Sequence, residues 1–370
     1  MTPSENMRKA PPSAEQPAPD RPGTYRHERY LQGQDRRIAA MAPDRAVSAE
    51  HVRDVILRDL APQAGRDWDW DVSVVTTARE SWLFKAASPQ APWPLAIKVY
   101  CTAMPDALPA RQLQVIRQYH DAMAGRADLT VPTPWAALPK HRALMMEWID
   151  APRVDKLLNG AFGRADRSRI MTAAGRWLRH FHDQGGHDVR PLGDLDLLRP
   201  FNTLMGSSGL ATAPDPAFRS TYATLQDCVR ELADVPVTLV TAHGDFSPAN
   251  LFLSDDRAVG FDFKAHKARP AARDIMHFLV YAKSFNTSVW RLLATQVVRH
   301  DQTAFLAGYG ALDEWVDARL LKVFELSEAL SSWAHALDRI SREGRKLRRT
   351  ARIRRLRNMA VHAARSLRRG

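Results

Sequence analysis

Two carboxylates and one carboxamide are spaced in this chain so that they could act on a phosphate. Asp245 and Asn250 lie in the run His243-Gly244-Asp245-Phe246-Ser247-Pro248-Ala249-Asn250, and Asp262 follows twelve residues later. Phosphoryl transfer asks the protein for positioning and charge neutralisation rather than covalent chemistry. One carboxylate can orient an attacking hydroxyl. The amide oxygen and the second carboxylate suit Mg²⁺, a hard cation that takes oxygen ligands and shares them with phosphate and water. A lone His-Gly-Asp would read as turn residues. The eight-residue pattern, the later Asp and then Arg273-Asp274 make a fuller signal.

The elements needed to position these groups are legible nearby. Residues 237–241 are rich in β-branched side chains and stop just before the motif. Leu251-Phe252-Leu253 is a second apolar run, Asp255-Asp256-Arg257 makes a turn, and Ala258-Val259-Gly260-Phe261 leads into Asp262. Strand, loop, strand, turn, strand brings both acidic groups to one side of one cleft. The interval from Asp245 to Asn250 is the D-x-x-x-x-N of a kinase catalytic loop.

On these residues the segment resembles the catalytic core of the aminoglycoside phosphotransferase and choline kinase-like families, which share the protein kinase-like fold. The resemblance implies an α+β, two-lobed architecture, with a small β-rich N-lobe and a larger, mainly helical C-lobe. It implies Asp245 as catalytic base, Asn250 and Asp262 as Mg²⁺ ligands, His243 and Asp274 as structural braces, and ATP as phosphate donor. Pro94-Leu95-Ala96-Ile97-Lys98-Val99-Tyr100 supplies the expected lysine strand, with Lys98 placed to contact the α- and β-phosphates. No G-x-G-x-x-G is present, and Ser81 with nearby backbone N–H groups is the candidate phosphate contact. Residues 144–150 look like the hinge, where backbone groups of Glu147 and Ile149 would meet adenine.

One part is missing. The kinase lysine usually pairs with a helix Glu, yet no Glu lies between Lys98 and Glu147, and the helix at 109–119 offers Gln112 or Gln114 instead. A degenerate nucleotide-binding kinase-like scaffold, whose basic tail docks to membrane or nucleic acid, is therefore the alternative reading.

The chain has 370 residues, 45% of them hydrophobic, enough for two lobes. The expected organisation is a disordered segment over 1–45, an N-lobe over 46–147, a C-lobe over 148–340 and a basic helix or tail over 341–370. Ser48 would cap a helix at 49–60. Helices are expected at 167–183, 274–300 and 312–340. His180 and His182, two apart on one of them, read as surface or packing residues rather than a metal site. Trp290, Phe324, Leu326, Leu330 and Trp333 read as core. Glu325 and Glu328 suit a cationic acceptor, although a solvated helix face is the preferred reading. No 18-residue apolar run and no signal-peptide core occur, and Cys101 and Cys228 form no metal or redox motif. The expected setting is cytoplasmic, with peripheral attachment at the inner face of a membrane.

The net charge of +12 is uneven. Residues 337–370 hold 13 Lys or Arg against 2 acidic residues, so the tail carries +11 and the body +1. Ile353, Leu356, Ala360, Ala363 and Leu367 recur near helical spacing among arginines, the pattern of an amphipathic helix on an anionic membrane surface. A solvated helix is the competing reading, and no specific nucleic-acid partner is expected because the tail lacks aromatic stacking groups. Lys264, His266, Lys267, Arg269 and Arg273 follow Asp262. These cations point away from an aminoglycoside and toward a hydroxyl on an anionic sugar, glycan or lipid acceptor.

Overall fold

The computed structural model describes residues 54, 68–77, 81–101, 108–160, 163–199, 201, 215–263, 268–285, 295–310, 317–343 and 347–369. The expected disorder of 1–45, the helix at 49–60 apart from Asp54, and Trp290, Lys264, His266 and Lys267 lie outside these residues.

Alternation of side chains builds the N-lobe sheet. Strands β1 (Asp71–Thr77), β2 (Ser81–Ala87) and β3 (Leu95–Tyr100) are followed by helix α1 (Leu108–Ala122), a short β4 (Leu129–Thr130), β5 (Pro134–Leu138) and β6 (Ala143–Glu147). They form an antiparallel sheet of order β1-β2-β3-β6-β5. Trp82, Phe84 and Ala86 of β2, Leu95, Ile97 and Val99 of β3, and Met145 of β6 form the core on one face. The period of two sends Leu83, Ala96, Lys98, Leu144 and Met146 to the opposite face. In β3 the residue that anchors the sheet, Ile97, thus adjoins the residue offered to the cleft, Lys98.

The C-lobe contains helices α2 (Val154–Gly160), α3 (Arg164–Asp183), α4 (Pro216–Glu231), α5 (Ala271–Ser284), α6 (Thr295–Tyr309), α7 (Ala318–Glu343) and α8 (Leu347–Leu367). Strand β7 (Asp188–Pro191) pairs with β8 (Pro236–Thr241), which pairs with β11 (Ala268–Pro270). Strands β9 (Leu251–Leu253) and β10 (Ala258–Gly260) form the other small sheet, with β4. The helix expected over 274–300 ends at Ser284, and α6 follows from Thr295 as a separate helix. A column of aromatic rings runs through the lobe. Trp177 lies 5.1 Å from Phe181 and 5.3 Å from Phe246, Phe246 4.9 Å from Phe278, and Phe278 4.9 Å from Phe305. Phe246 belongs to the motif loop, so the core itself holds that loop in place.

Helices α3 and α6 cross closely because glycines meet there. A Cβ on Gly175 would overlap the Phe305 carbonyl and lie 2.8 Å from the Tyr309 nitrogen. Gly175→Ala should therefore destabilise the fold by about 1–3 kcal/mol. Urea denaturation would show it as a lower midpoint with an unchanged slope.

The tail corrects the sequence reading. Helix α8 buries Leu356, Ala360, Ala363, Ala364 and Leu367 in the C-lobe core. Its arginines bind the protein as well. Arg357 pairs with Asp215 at 3.0 Å, Arg355 donates to the Lys283 carbonyl at 2.8 Å, and the Arg368 guanidinium donates to the Ser220 carbonyl at 3.1 Å. The apolar stripe that would have entered a membrane is the face that packs on the protein. No helix among the described residues is long and apolar enough to cross a membrane.

Candidate active site

The motif loop is built around one buried carboxylate. Asp274, near the start of α5, accepts from the backbone N–H of His243 at 2.7 Å and of Gly244 at 3.1 Å. The His182 ring lies 3.3 Å from it and the Tyr309 hydroxyl 2.9 Å from the other ring nitrogen. Burial alone would raise the Asp274 carboxyl, but the His182 ring bonded to it and the backbone N–H of His243 hold it below the usual carboxylate range. His243, fully buried, stays neutral because burial disfavours its cation more than Asp274, Asp245 and Asp262 favour it. Its Nε2 lies 3.0 Å from the Phe261 carbonyl, next to Asp262. Gly244 has φ of 81°, a left-handed turn that suits glycine. That turn and the two bonds to Asp274 set the direction in which Asp245 leaves the loop. His182, read from the sequence as a surface or packing residue, is a buried member of this network.

Asp245, Asn250 and Asp262 converge. The Asn250 amide nitrogen donates to the Asp245 carbonyl at 2.9 Å and lies 3.3 Å from its Oδ2. Asp262 adopts φ of 64°, left-handed for a residue with a Cβ. That conformation costs on the order of 1–2 kcal/mol, and the backbone strain is held at the site. Asp262 there meets Lys98, whose Nζ lies 2.7 Å from Oδ1.

Lys98 and Asp262 therefore pair directly across the lobes. Gln112 of α1 lines the same cavity, where its amide oxygen accepts from the Tyr100 hydroxyl. Lys98 lies 5.2 Å from the Tyr100 ring centroid. Burial first, and the Asp262 charge second, keep the Tyr100 phenol protonated and so a donor.

A cavity of about 510 Å³ opens between the lobes. Ser81, Lys98, Glu147, Ile149, Asn250 and Asp262 all line it, with apolar walls from Leu83, Ala96, Leu144 and Phe252. Glu147 is more committed than its sequence position suggests. Its carboxylate takes Arg257 Nη1 at 2.7 Å and the Thr133 hydroxyl at 2.8 Å, and its backbone N–H donates to the Thr133 carbonyl at 2.9 Å. The Trp148 N–H donates to Pro94.

Sequence reasoning passed over His277. This α5 residue lies 3.3 Å from Asp245 Oδ1 through Nε2 and 3.1 Å from Glu328 Oε2 through Nδ1. Glu328 also pairs with Arg273 at 3.3 Å, and Glu325 with Lys283 at 3.1 Å. Glu328 is thus a buried, doubly paired carboxylate rather than part of a solvated helix face. The signal present in the sequence was local: His277 sits three residues after Asp274, on the helix that braces the motif.

The donor set suits a small oxygen-seeking cation. Among the described residues no group of three or more His, Cys, Asp or Glu is placed to hold a metal by itself. Mg²⁺ needs no such group, because it retains waters and borrows phosphate oxygens. Asn250 and Asp262, lining a cavity that also holds a lysine, fit that demand.

No family model matches this chain, and no curated protein matches it in sequence. Solved structures do match in shape. An ethanolamine kinase from Plasmodium vivax is similar over 94% of this chain and 97% of its own, with 13% identity and a TM-score of 0.57. A choline/ethanolamine kinase family protein from Mesorhizobium loti is similar over 81% and 93%, with 13% identity and a TM-score of 0.55. An amicoumacin kinase solved with AMP-PNP and Ca²⁺ is similar over 86% and 95%, with 12% identity and a TM-score of 0.55. With its five-stranded N-lobe sheet, helical C-lobe and intervening cleft, this chain has the two-lobed kinase-like fold of those structures.

Proposed function

We propose that the protein is a Mg²⁺- and ATP-dependent phosphotransferase acting on a hydroxyl acceptor. The observation that carries this reading is the convergence of Lys98, Asn250 and Asp262 on one interlobe cavity, with Asp245 bonded to Asn250 beside it. The apolar walls would hold adenine, with backbone groups of Glu147 and Ile149 to recognise it. Ser81 and Lys98 meet the phosphates. Asn250, whose amide nitrogen is committed to Asp245, would offer its oxygen to Mg²⁺ alongside Asp262. The ion would neutralise phosphate charge there. Asp245 orients the acceptor hydroxyl and receives its proton, while His243 and Asp274 hold the loop in register. The direct Lys98–Asp262 pair, at 2.7 Å, argues against a degenerate scaffold, because the cleft supplies its own counter-charge for Lys98 without a helix Glu.

The acceptor is proposed to be anionic or neutral rather than an amine. Glu325 and Glu328, the carboxylates that the sequence offers to a cationic acceptor, are compensated by Lys283, Arg273 and His277. Arg269 adds positive charge nearby, where burial first and the Arg273 charge second depress its guanidinium. With labelled ATP and Mg²⁺, phosphate should pass to acidic or neutral sugars at least tenfold faster than to choline or kanamycin. Faster transfer to the amines would overturn the acceptor assignment and leave the phosphotransfer reading standing.

A further inference from the structure

We infer that His277 is a positioning residue for the proposed reaction, a cationic clamp held by Glu328 that fixes the Asp245 carboxylate for the acceptor hydroxyl. The inference rests on the phosphotransfer reading, and its geometry comes from three elements. Asp245 belongs to the motif loop, His277 to α5 and Glu328 to α7, and both ring nitrogens of His277 lie within 3.3 Å of carboxylate oxygens. An imidazole with an acceptor on each side is satisfied only when both nitrogens carry protons. Burial alone would favour the neutral ring. The bonds to Asp245 and Glu328 and their charges outweigh it and push His277 up to about 10. Arg273, one turn earlier on α5, pairs with Glu328 and competes for it, and the Arg269 guanidinium also feels the Glu328 charge.

This arrangement divides the two Asp245 oxygens. Oδ1 is engaged by His277 and Oδ2 lies 3.3 Å from the Asn250 amide. The carboxylate plane is thereby fixed before an acceptor arrives, the kind of preorganisation that sets effective molarity. In the step itself the acceptor oxygen forms a bond to the γ-phosphorus, and the bond from that phosphorus to the bridging oxygen of ADP breaks with its electrons. The hydroxyl proton passes to Asp245. His277 keeps both of its protons throughout, so it touches the base and not the reacting atoms.

Two consequences separate positioning from mere packing. A group raised from about 6.5 in the unfolded chain to about 10 in the folded one stabilises fully below the lower value. That stabilisation is lost as pH rises through the upper value. Thermal stability should fall between pH 7 and 10 more steeply in the native protein than in His277→Gln. In turnover, His277→Gln and Glu328→Gln should each lower kcat roughly tenfold or more, as a general-base defect does. The affinity for Mg·ADP should not change, and the double variant should be no worse than the singles.

The deciding experiment is a pH titration of full-length protein carrying ¹⁵N-labelled histidine, with His277 assigned from His277→Gln. The expected result is a doubly protonated ring at pH 8 whose midpoint drops by at least about one unit in Glu328→Gln. A midpoint near 6.5, or one unmoved by Glu328→Gln, overturns the clamp. Hydrolysis of labelled Mg·ATP with water as acceptor supplies the kinetic arm, and additive losses in the double variant overturn the coupling. If the native protein neither binds nor turns over ATP, the positioning role falls with the phosphotransfer reading. The titration still decides the clamp separately.

Discussion

Asp245→Asn should lower turnover by orders of magnitude while the protein remains folded and still binds Mg·ATP. The expected loss is about 10²–10⁴-fold in kcat, the range for a positioned general base, or about 3–5 kcal/mol of transition-state stabilisation. Asn keeps the side chain's shape and can still accept from His277 Nε2, which lies 3.3 Å from Oδ1 in the native protein. It cannot take a proton. Asp245 stands outside the residues that line the interlobe cavity, whereas Asn250, Asp262 and Lys98 are all in its wall. Nucleotide affinity should therefore be unchanged when measured by calorimetry. The brace from Asp274 to the His243 and Gly244 amides is untouched, so the melting temperature should move little.

Asp262→Asn should remove the Mg²⁺-dependent part of nucleotide affinity. The change exchanges a charged oxygen for a neutral amide at the proposed metal position. Losing a ligand should cost at least the roughly 10–100-fold that removing an outer partner costs. Asn is chosen because it tolerates the left-handed backbone, at φ of 64°, that position 262 adopts. The substitution also releases Lys98, paired at 2.7 Å with Asp262. Calorimetry with ATP alone should then show no loss, and the increment gained on adding Mg²⁺ should largely vanish. An unchanged Mg²⁺ increment would take Asp262 out of the metal site.

The local parts of this arrangement were legible in the sequence. Residues from His243 to Asn250 lie within one loop, and the strand carrying Lys98 declares itself through alternation, so residue type and spacing sufficed. Pairings over long separations were not legible. Lys98 meets Asp262 across 164 residues, and His277 meets Glu328 across 51. Nothing local to Lys98 shows that the absent helix Glu is answered by a cleft Asp. The tail misled for a different reason. An apolar stripe flanked by arginines reads the same whether it faces lipid or a helical lobe, and only the burial of Leu356 and Ala360 separates the two. Glu147 was placed as a hinge residue by its backbone, but the Arg257 and Thr133 bonds that occupy its carboxylate depend on tertiary folding.

The account stands most directly on transfer of the γ-phosphate. Native protein incubated with γ-labelled ATP, Mg²⁺ and fractionated cell extract should move label into an organic hydroxyl compound. Chelating the metal should stop that transfer, and Asp245→Asn should slow it by at least about a hundredfold. Label found only in nucleotide, or transfer by Asp245→Asn at the native rate, would contradict the account.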